Sequence, residues 1–66
     1  MKKMTLGTYS NNINPTLKVV YRSARYGLIW TGMAKFFRTA LTFEAYQRTD
    51  YTAYREFDTI TITIPD

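Results

Sequence analysis

The acidic side chains are the first candidates for chemistry in this sequence, because the chain contains neither histidine nor cysteine. Without those two residue types, Ser–His and Cys–His nucleophiles and the usual zinc sites are excluded. Glu56 and Asp58 are two residues apart and are close enough to converge as a general acid–base or metal-binding pair. The more ordinary interpretation, which we prefer, is that they solvate the end of one element and the start of the next. The acidic residues of the sequence are Glu44, Asp50, Glu56, Asp58 and Asp66.

No other residues are spaced as catalysis requires. The glycines at 7, 27 and 32 match neither a phosphate-binding loop nor a dinucleotide fingerprint, and Ser10 and Ser23 have no histidine to activate them. A chain of 66 residues also leaves little room for a concave active site with its supporting residues. We therefore expect a protein that is not an enzyme and that uses no cofactor and no metal.

Basic and aromatic residues alternate in two segments, at residues 21–26 (YRSARY) and at Tyr54-Arg55. Bases stack on tyrosine rings while arginine meets phosphates, so this mixture is typical of sequence-tolerant binding to single-stranded DNA or RNA. The same residue types are also favoured at protein interfaces, where arginine pairs with carboxylates. The candidate partner-binding residues are Arg22, Arg25, Tyr26, Tyr51, Tyr54 and Arg55.

Charge and size favour a protein partner. The net charge of +4 is modest for a dedicated nucleic-acid binder, and it predicts a partner with an acidic surface. A chain of this length buries only about 60% of its unfolded surface, so docking on a larger body would help it stay folded. The leading hypothesis is a non-catalytic, basic binding module that docks on a larger protein or assembly as an accessory, adaptor, inhibitor or structural subunit. Binding of single-stranded DNA or RNA is the alternative.

Hydropathy and cysteine content give two expectations about location. The longest apolar stretch without charge runs over residues 26–34, whereas a membrane span needs about 20 residues, so we expect no membrane span. The absence of cysteine agrees with a reducing compartment, and we expect a cytoplasmic protein.

Two segments alternate as strands do. Residues 16–23 put Leu17, Val19 and Tyr21 on one face, and residues 58–64 put the isoleucines inward and the threonines outward. If the two strands are neighbours, a right-handed crossover makes them parallel. A strand at the end of the chain is expected at a sheet edge, where it offers a route to homo-oligomers.

The segment between these strands fits a helix. Wound at about 100° per residue, residues 28–43 gather their rings on one side, which predicts an amphipathic helix with Trp30 and Phe36 buried. Residues 49–57 are expected to add a short second helix. The alternative is a small all-β barrel, in which residues 35–46 and 51–64 pair through a turn.

The predicted fold class is therefore α+β, as a small single domain. One amphipathic helix over about 28–44 packs on strands at about 16–23 and 58–64, with a third strand considered at 4–9. Residues 1–15 are expected to form an N-terminal arm, and residues 16–66 the domain. The predicted packing residues are Val19, Trp30, Met33, Phe36, Phe37, Leu41, Ile60 and Ile62.

Overall fold

Helices pack on one face of an open, mixed four-stranded sheet in the computed structural model, which describes residues 4–66. The strands lie in the order β2-β1-β4-β3, and the sheet does not close. This arrangement confirms the α+β class and excludes the all-β barrel. The elements in chain order are α1 (Leu6–Asn12), β1 (Lys18–Ser23), β2 (Gly27–Met33), α2 (Ala34–Ala40), α3 (Phe43–Tyr46), β3 (Thr52–Glu56) and β4 (Thr59–Ile64).

The two strands expected from alternation form the centre of the sheet. β1 and β4 pair in parallel, with Val19 opposite Ile60 and Tyr21 opposite Ile62, and all four side chains are buried. The predicted strands and their parallel relation are confirmed. The expectation that β4 is an edge strand is wrong, because β3 folds back onto it through a tight turn at Phe57 (φ 56°). The expected route to homo-oligomers through this strand therefore has no free β4 edge to use.

The single helix predicted over about 28–44 is wrong in its first third, and its remainder is divided into α2 and α3 by extended backbone at Leu41 and Thr42. Residues 27–33 are extended as β2 and pair antiparallel with β1. The turn that joins them is closed by Ser23, whose Oγ accepts hydrogen bonds from the backbone N–H groups of Arg25 (3.1 Å) and Tyr26 (3.0 Å). Gly27 adopts φ 89°, a conformation that favours glycine. In the hairpin, β2 supplies hydrogen-bond partners for the backbone of β1. This pairing outweighs the helical periodicity of the side chains at residues 28–33.

Two further element predictions are wrong. The strand considered at 4–9 is instead the start of α1, where the Thr5 side chain accepts a hydrogen bond from the N–H of Thr8 at 3.2 Å. The short helix expected at 49–57 is instead β3, which borders β4. Within the predicted N-terminal arm, residues 1–3 lie outside the described residues, and Leu6 is fully buried in the core. The domain division at residue 15 stays a prediction.

The core lies between the sheet and the helices, and Phe37 is at its centre. This ring is fully buried, with its centroid 5.3 Å from that of Tyr21 and 5.6 Å from that of Trp30. Phe36, by contrast, is 54% exposed, because α2 makes barely two turns and presents a narrower apolar face than the predicted helix. Of the predicted packing residues, Val19, Phe37, Ile60 and Ile62 are buried, Trp30 and Leu41 are partly buried, and Met33 and Phe36 are exposed.

Candidate functional site

The face of the sheet opposite the helices carries a regular array of side chains, which we call the open face. Its members alternate with buried residues along β1 and β4, and none of them is buried. The strand registers arrange them in three rows across the sheet: Met33, Lys18, Thr59 and Glu56; Thr31, Val20, Thr61 and Tyr54; Leu28, Arg22, Thr63 and Thr52.

Three of the predicted partner-binding residues lie together at one end of the β1–β2 hairpin. Arg22 is on the open face near the end of β1, and Arg25 and Tyr26 are in the turn that follows. The Arg25 guanidinium carbon lies 5.2 Å from the centroid of the Tyr26 ring, which is 73% exposed. This stacked pair presents a flat cationic surface to solvent.

The other three candidates are dispersed. Tyr51 is a core residue with 2% exposure, and its hydroxyl donates a hydrogen bond to the carbonyl of Met4 at 2.9 Å, so its assignment as a contact residue is wrong. Tyr54 is on the open face but on β3, two strands away from β1. Arg55 is exposed on β3, and its Nε donates to the carbonyl of Phe57 at 3.0 Å.

The charges are segregated along the chain, which sequence reasoning missed. Every acidic residue lies at position 44 or later, so β1 and α2 carry cations without a carboxylate, and β2 carries no charge. In the part of the chain that the structure describes, Arg48 makes every ion pair. We call the β1–β2 hairpin, with the cations that lie on it and directly after it, the basic hairpin; these cations are Lys18, Arg22, Arg25 and Lys35. Counting the acidic and basic residues separately before and after residue 44 would have revealed this segregation.

Exposed apolar side chains accompany these cations. They lie in the turn of the basic hairpin, along β2 and on the outer side of α2, and their exposed fractions run from 39% to 73%. Clusters of exposed apolar groups are typical of interaction surfaces. We call this set the apolar rim; its members are Tyr26, Leu28, Ile29, Met33 and Phe36.

An open cavity of about 270 Å³ lies where α2 and α3 meet the end of the sheet, with Glu44 and Arg48 in its wall. The Arg48 guanidinium is already engaged, since Nε lies 2.8 Å from Asp50 Oδ1 and Nη1 lies 2.8 Å from Asp66 Oδ2. These hydrogen bonds hold the pKa of both aspartates below the usual value and raise the pKa of Arg48. The cavity therefore offers no uncompensated cation to an anionic ligand. Arg48 instead links Asp66, which follows β4, to Asp50, which precedes β3.

The Arg48 pairs predict a loss of stability in acid. The folded-state pKa of Asp50 and of Asp66 lies below the ordinary 3.8, so their stabilisation is present above that pH. It is lost as the pH falls through the lowered folded-state values. We expect the urea midpoint to drop between about pH 5 and pH 2, and Arg48→Gln to flatten that drop. An Arg48→Gln variant with the same acid dependence as the original chain would contradict this assignment.

Residues 4–66 contain no cluster of three or more potential metal ligands, and none of their helices is long and apolar enough to cross a membrane. Comparisons with protein-family models, with curated proteins and with solved structures gave no match.

Proposed function

We propose that this protein is a non-catalytic binding module that docks on a larger protein or assembly through the basic hairpin. The observation that carries this proposal is the overlap of Lys18, Arg22, Arg25 and Lys35 with the apolar rim, in a segment of the sequence that contains no acidic residue. Unpaired cations beside exposed apolar groups match a partner surface that is both acidic and apolar.

The chemistry of the apolar rim favours a protein partner. Leu28, Ile29 and Met33 are aliphatic or thioether side chains that offer no ring for a base to stack on. Methionine, tyrosine and arginine are enriched at protein interfaces. The Arg25–Tyr26 stack adds a planar fork suited to bidentate contact with carboxylates.

Nucleic-acid binding remains the second candidate, because the open face carries two cations on one central strand. Lys18 and Arg22 flank Val20 there, and Tyr54 lies on the same face. Tyr54 is separated from β1 by the threonines of β4, however, and Glu56 is the next open-face residue along its strand. A phosphate backbone crossing this face would therefore meet like charge at the β3 side.

Affinity capture under native conditions, with mass spectrometry of the bound proteins, tests the leading proposal. We expect Arg22→Ala/Arg25→Ala to weaken capture of a specific partner about tenfold, as loss of two exposed charge contacts would. The matched control is Arg38→Ala/Arg55→Ala, which removes the same charge outside the basic hairpin and should retain capture. Equal losses in the two variants, or a stable monomer that captures no partner, would contradict the proposal.

Titration with a single-stranded oligonucleotide separates the second candidate. Neutralising phosphates gives a steep linear fall of log affinity with log salt. If the oligonucleotide binds at about 50 mM salt with such a slope, and Arg22→Ala/Arg25→Ala reduces both affinity and slope, nucleic acid is the partner. Absence of binding at that salt concentration excludes it.

A further inference from the structure

The two edges of the sheet differ in how they are protected. β3 has five residues and includes Arg55 and Glu56, and charges on a short edge strand discourage pairing with another chain. β2 has seven residues, GLIWTGM, with neither a charge nor a proline. An irregularity in the β1–β2 register leaves Ile29 without a partner on β1, so the regular part of the β2 edge runs over residues 30–33, where neither charge nor proline blocks strand addition.

The unpaired backbone groups of β2 can be assigned from its register. The N–H of Ala34 donates to the carbonyl of Leu17 at 2.8 Å, and this pair continues the β1–β2 register in which Lys18 faces Met33. Hydrogen-bonded and non-hydrogen-bonded pairs alternate along an antiparallel ladder. Thr31 therefore directs its N–H and C=O groups away from β1, towards the free edge. Met33 directs its N–H the same way, whereas its C=O belongs to the N-cap residue of α2.

Exposed apolar side chains flank this edge on both faces of the sheet. Leu28 and Met33 lie on the open face. Ile29 lies on the helix side, where it borders the cavity beside Tyr21, and Phe36 is exposed on α2, which packs on β2. A strand added to the edge would thus bury alternate side chains against apolar groups on either face.

Charge decides which strand fits. Arg25 precedes β2 and Lys35 follows it, so a second copy pairing in either direction would bring cation against cation at both ends of the strand. The chain's own β4 shows the complementary pattern on the other side of β1. Asp58 and Asp66 flank β4, the N–H of Lys18 donates to the carbonyl of Asp58 at 2.8 Å, and the charge of Arg25 helps lower the pKa of Asp66.

We propose that the free edge of β2 binds an extended, apolar segment of a partner protein, flanked by carboxylates, as a fifth strand of the sheet. This proposal rests on the proposed function and specifies its geometry: backbone pairing at Thr31 and Met33, apolar contacts with the apolar rim, and ion pairs of the flanking carboxylates with Arg25 and Lys35.

The test uses a synthetic peptide as the probe, with alternating threonine and valine residues between two aspartates at each end. The readouts are fluorescence anisotropy and amide hydrogen exchange of the intact protein. We expect the peptide to slow exchange at Thr31 and Met33, while Trp30 and Gly32, already paired to β1, change little. A peptide with lysines in place of the aspartates should bind at least about tenfold more weakly.

The variant Thr31→Pro removes an outward N–H and leaves the β1–β2 ladder intact, as proline does on the solvent side of an edge strand. We expect at least about a tenfold loss of peptide affinity. The matched control is Thr52→Glu against Thr31→Glu: both are exposed open-face threonines on edge strands, and only the negative charge added on β2 should weaken binding of the acidic peptide. If Thr31→Pro fails to fold, the glutamate pair and the exchange data decide.

Failure of this inference is distinguishable from failure of the proposed function. Absence of peptide binding, or binding that protects amides elsewhere and is unaffected by Thr31→Pro, overturns strand addition at β2. Native capture of a partner that depends on Arg22 and Arg25 but survives Thr31→Pro would retain the docking function and overturn only its geometry.

Discussion

Replacing Phe37 with alanine is expected to destabilise the fold by about 3–5 kcal/mol, the range for large-to-small aromatic substitutions in cores. The Phe37 ring is fully buried and contacts Tyr21 edge-on and Trp30 at a tilt, so its removal leaves a cavity between α2 and the sheet. A core of this size rarely supplies more than about 3–5 kcal/mol of net stability. The variant should therefore be largely unfolded at room temperature.

Urea unfolding followed by Trp30 fluorescence and far-ultraviolet circular dichroism measures this loss. Phe36→Ala is the matched control, because it deletes the same ring from the neighbouring position of α2, where the side chain is 54% exposed. We expect the control to lose about 1 kcal/mol or less. Similar losses in the two variants would mean that Phe37 is not the centre of the core.

The strands at the centre of the sheet were predictable because their two faces differ in polarity. In β4, buried isoleucine alternates with partly exposed threonine, and this period has no competing helical interpretation. Residues 28–33 had two consistent interpretations, since Leu28, Ile29 and Trp30 suit either a buried helix face or a strand. The partner that decides between them is β1, and strand pairing is not visible in the local period of one segment.

The site was predictable in composition but not in position. Tyr26 begins the longest apolar stretch of the sequence and Tyr51 lies in a polar one, yet the first is 73% exposed and the second 2%. The difference comes from α1, because Tyr9 and the backbone of Met4 cover Tyr51. Because residues 1–15 were interpreted as an arm, α1 was not expected to pack over Tyr51. Arg25 and Tyr26 are neighbours in a short turn, so their contact depends on local structure alone. These two candidate residues therefore lie together without help from any tertiary contact.

The charge segregation links the fold to both proposals. The parallel β1–β4 pair places the cations of β1 beside the strand that Asp58 and Asp66 flank, while Arg48 engages Asp66 and Asp50. Three of the carboxylates, on Asp50, Asp58 and Asp66, thus lie beside Arg48 or at the ends of β4. The β2 strand itself has no charge and is bordered in sequence by Arg25 and Lys35, which is why an acidic segment is the complement we assign to it.

Gly7→Ala is expected to destabilise the protein, although alanine is the better helix former by about 1 kcal/mol. Gly7 lies where α1 packs on α3, and a Cβ at this position would fall on the ring of Tyr46. The ring is anchored by Asn11, whose Nδ2 donates to the Tyr46 hydroxyl at 3.3 Å. Forcing the ring aside should cost about 1–3 kcal/mol, the usual range for overpacking, and should exceed the gain in helix propensity.

A double-mutant cycle with Tyr46→Ala isolates this steric cause. In the Tyr46→Ala background the ring is absent, so Gly7→Ala should be neutral or should stabilise by up to about 1 kcal/mol in urea unfolding. The sign of the glycine substitution therefore reverses with the residue at position 46, which a general effect on α1 would not produce. If Gly7→Ala stabilises the protein while Tyr46 is present, α1 does not pack on α3 through this glycine, and the cover over Tyr51 that α1 provides is in doubt as well.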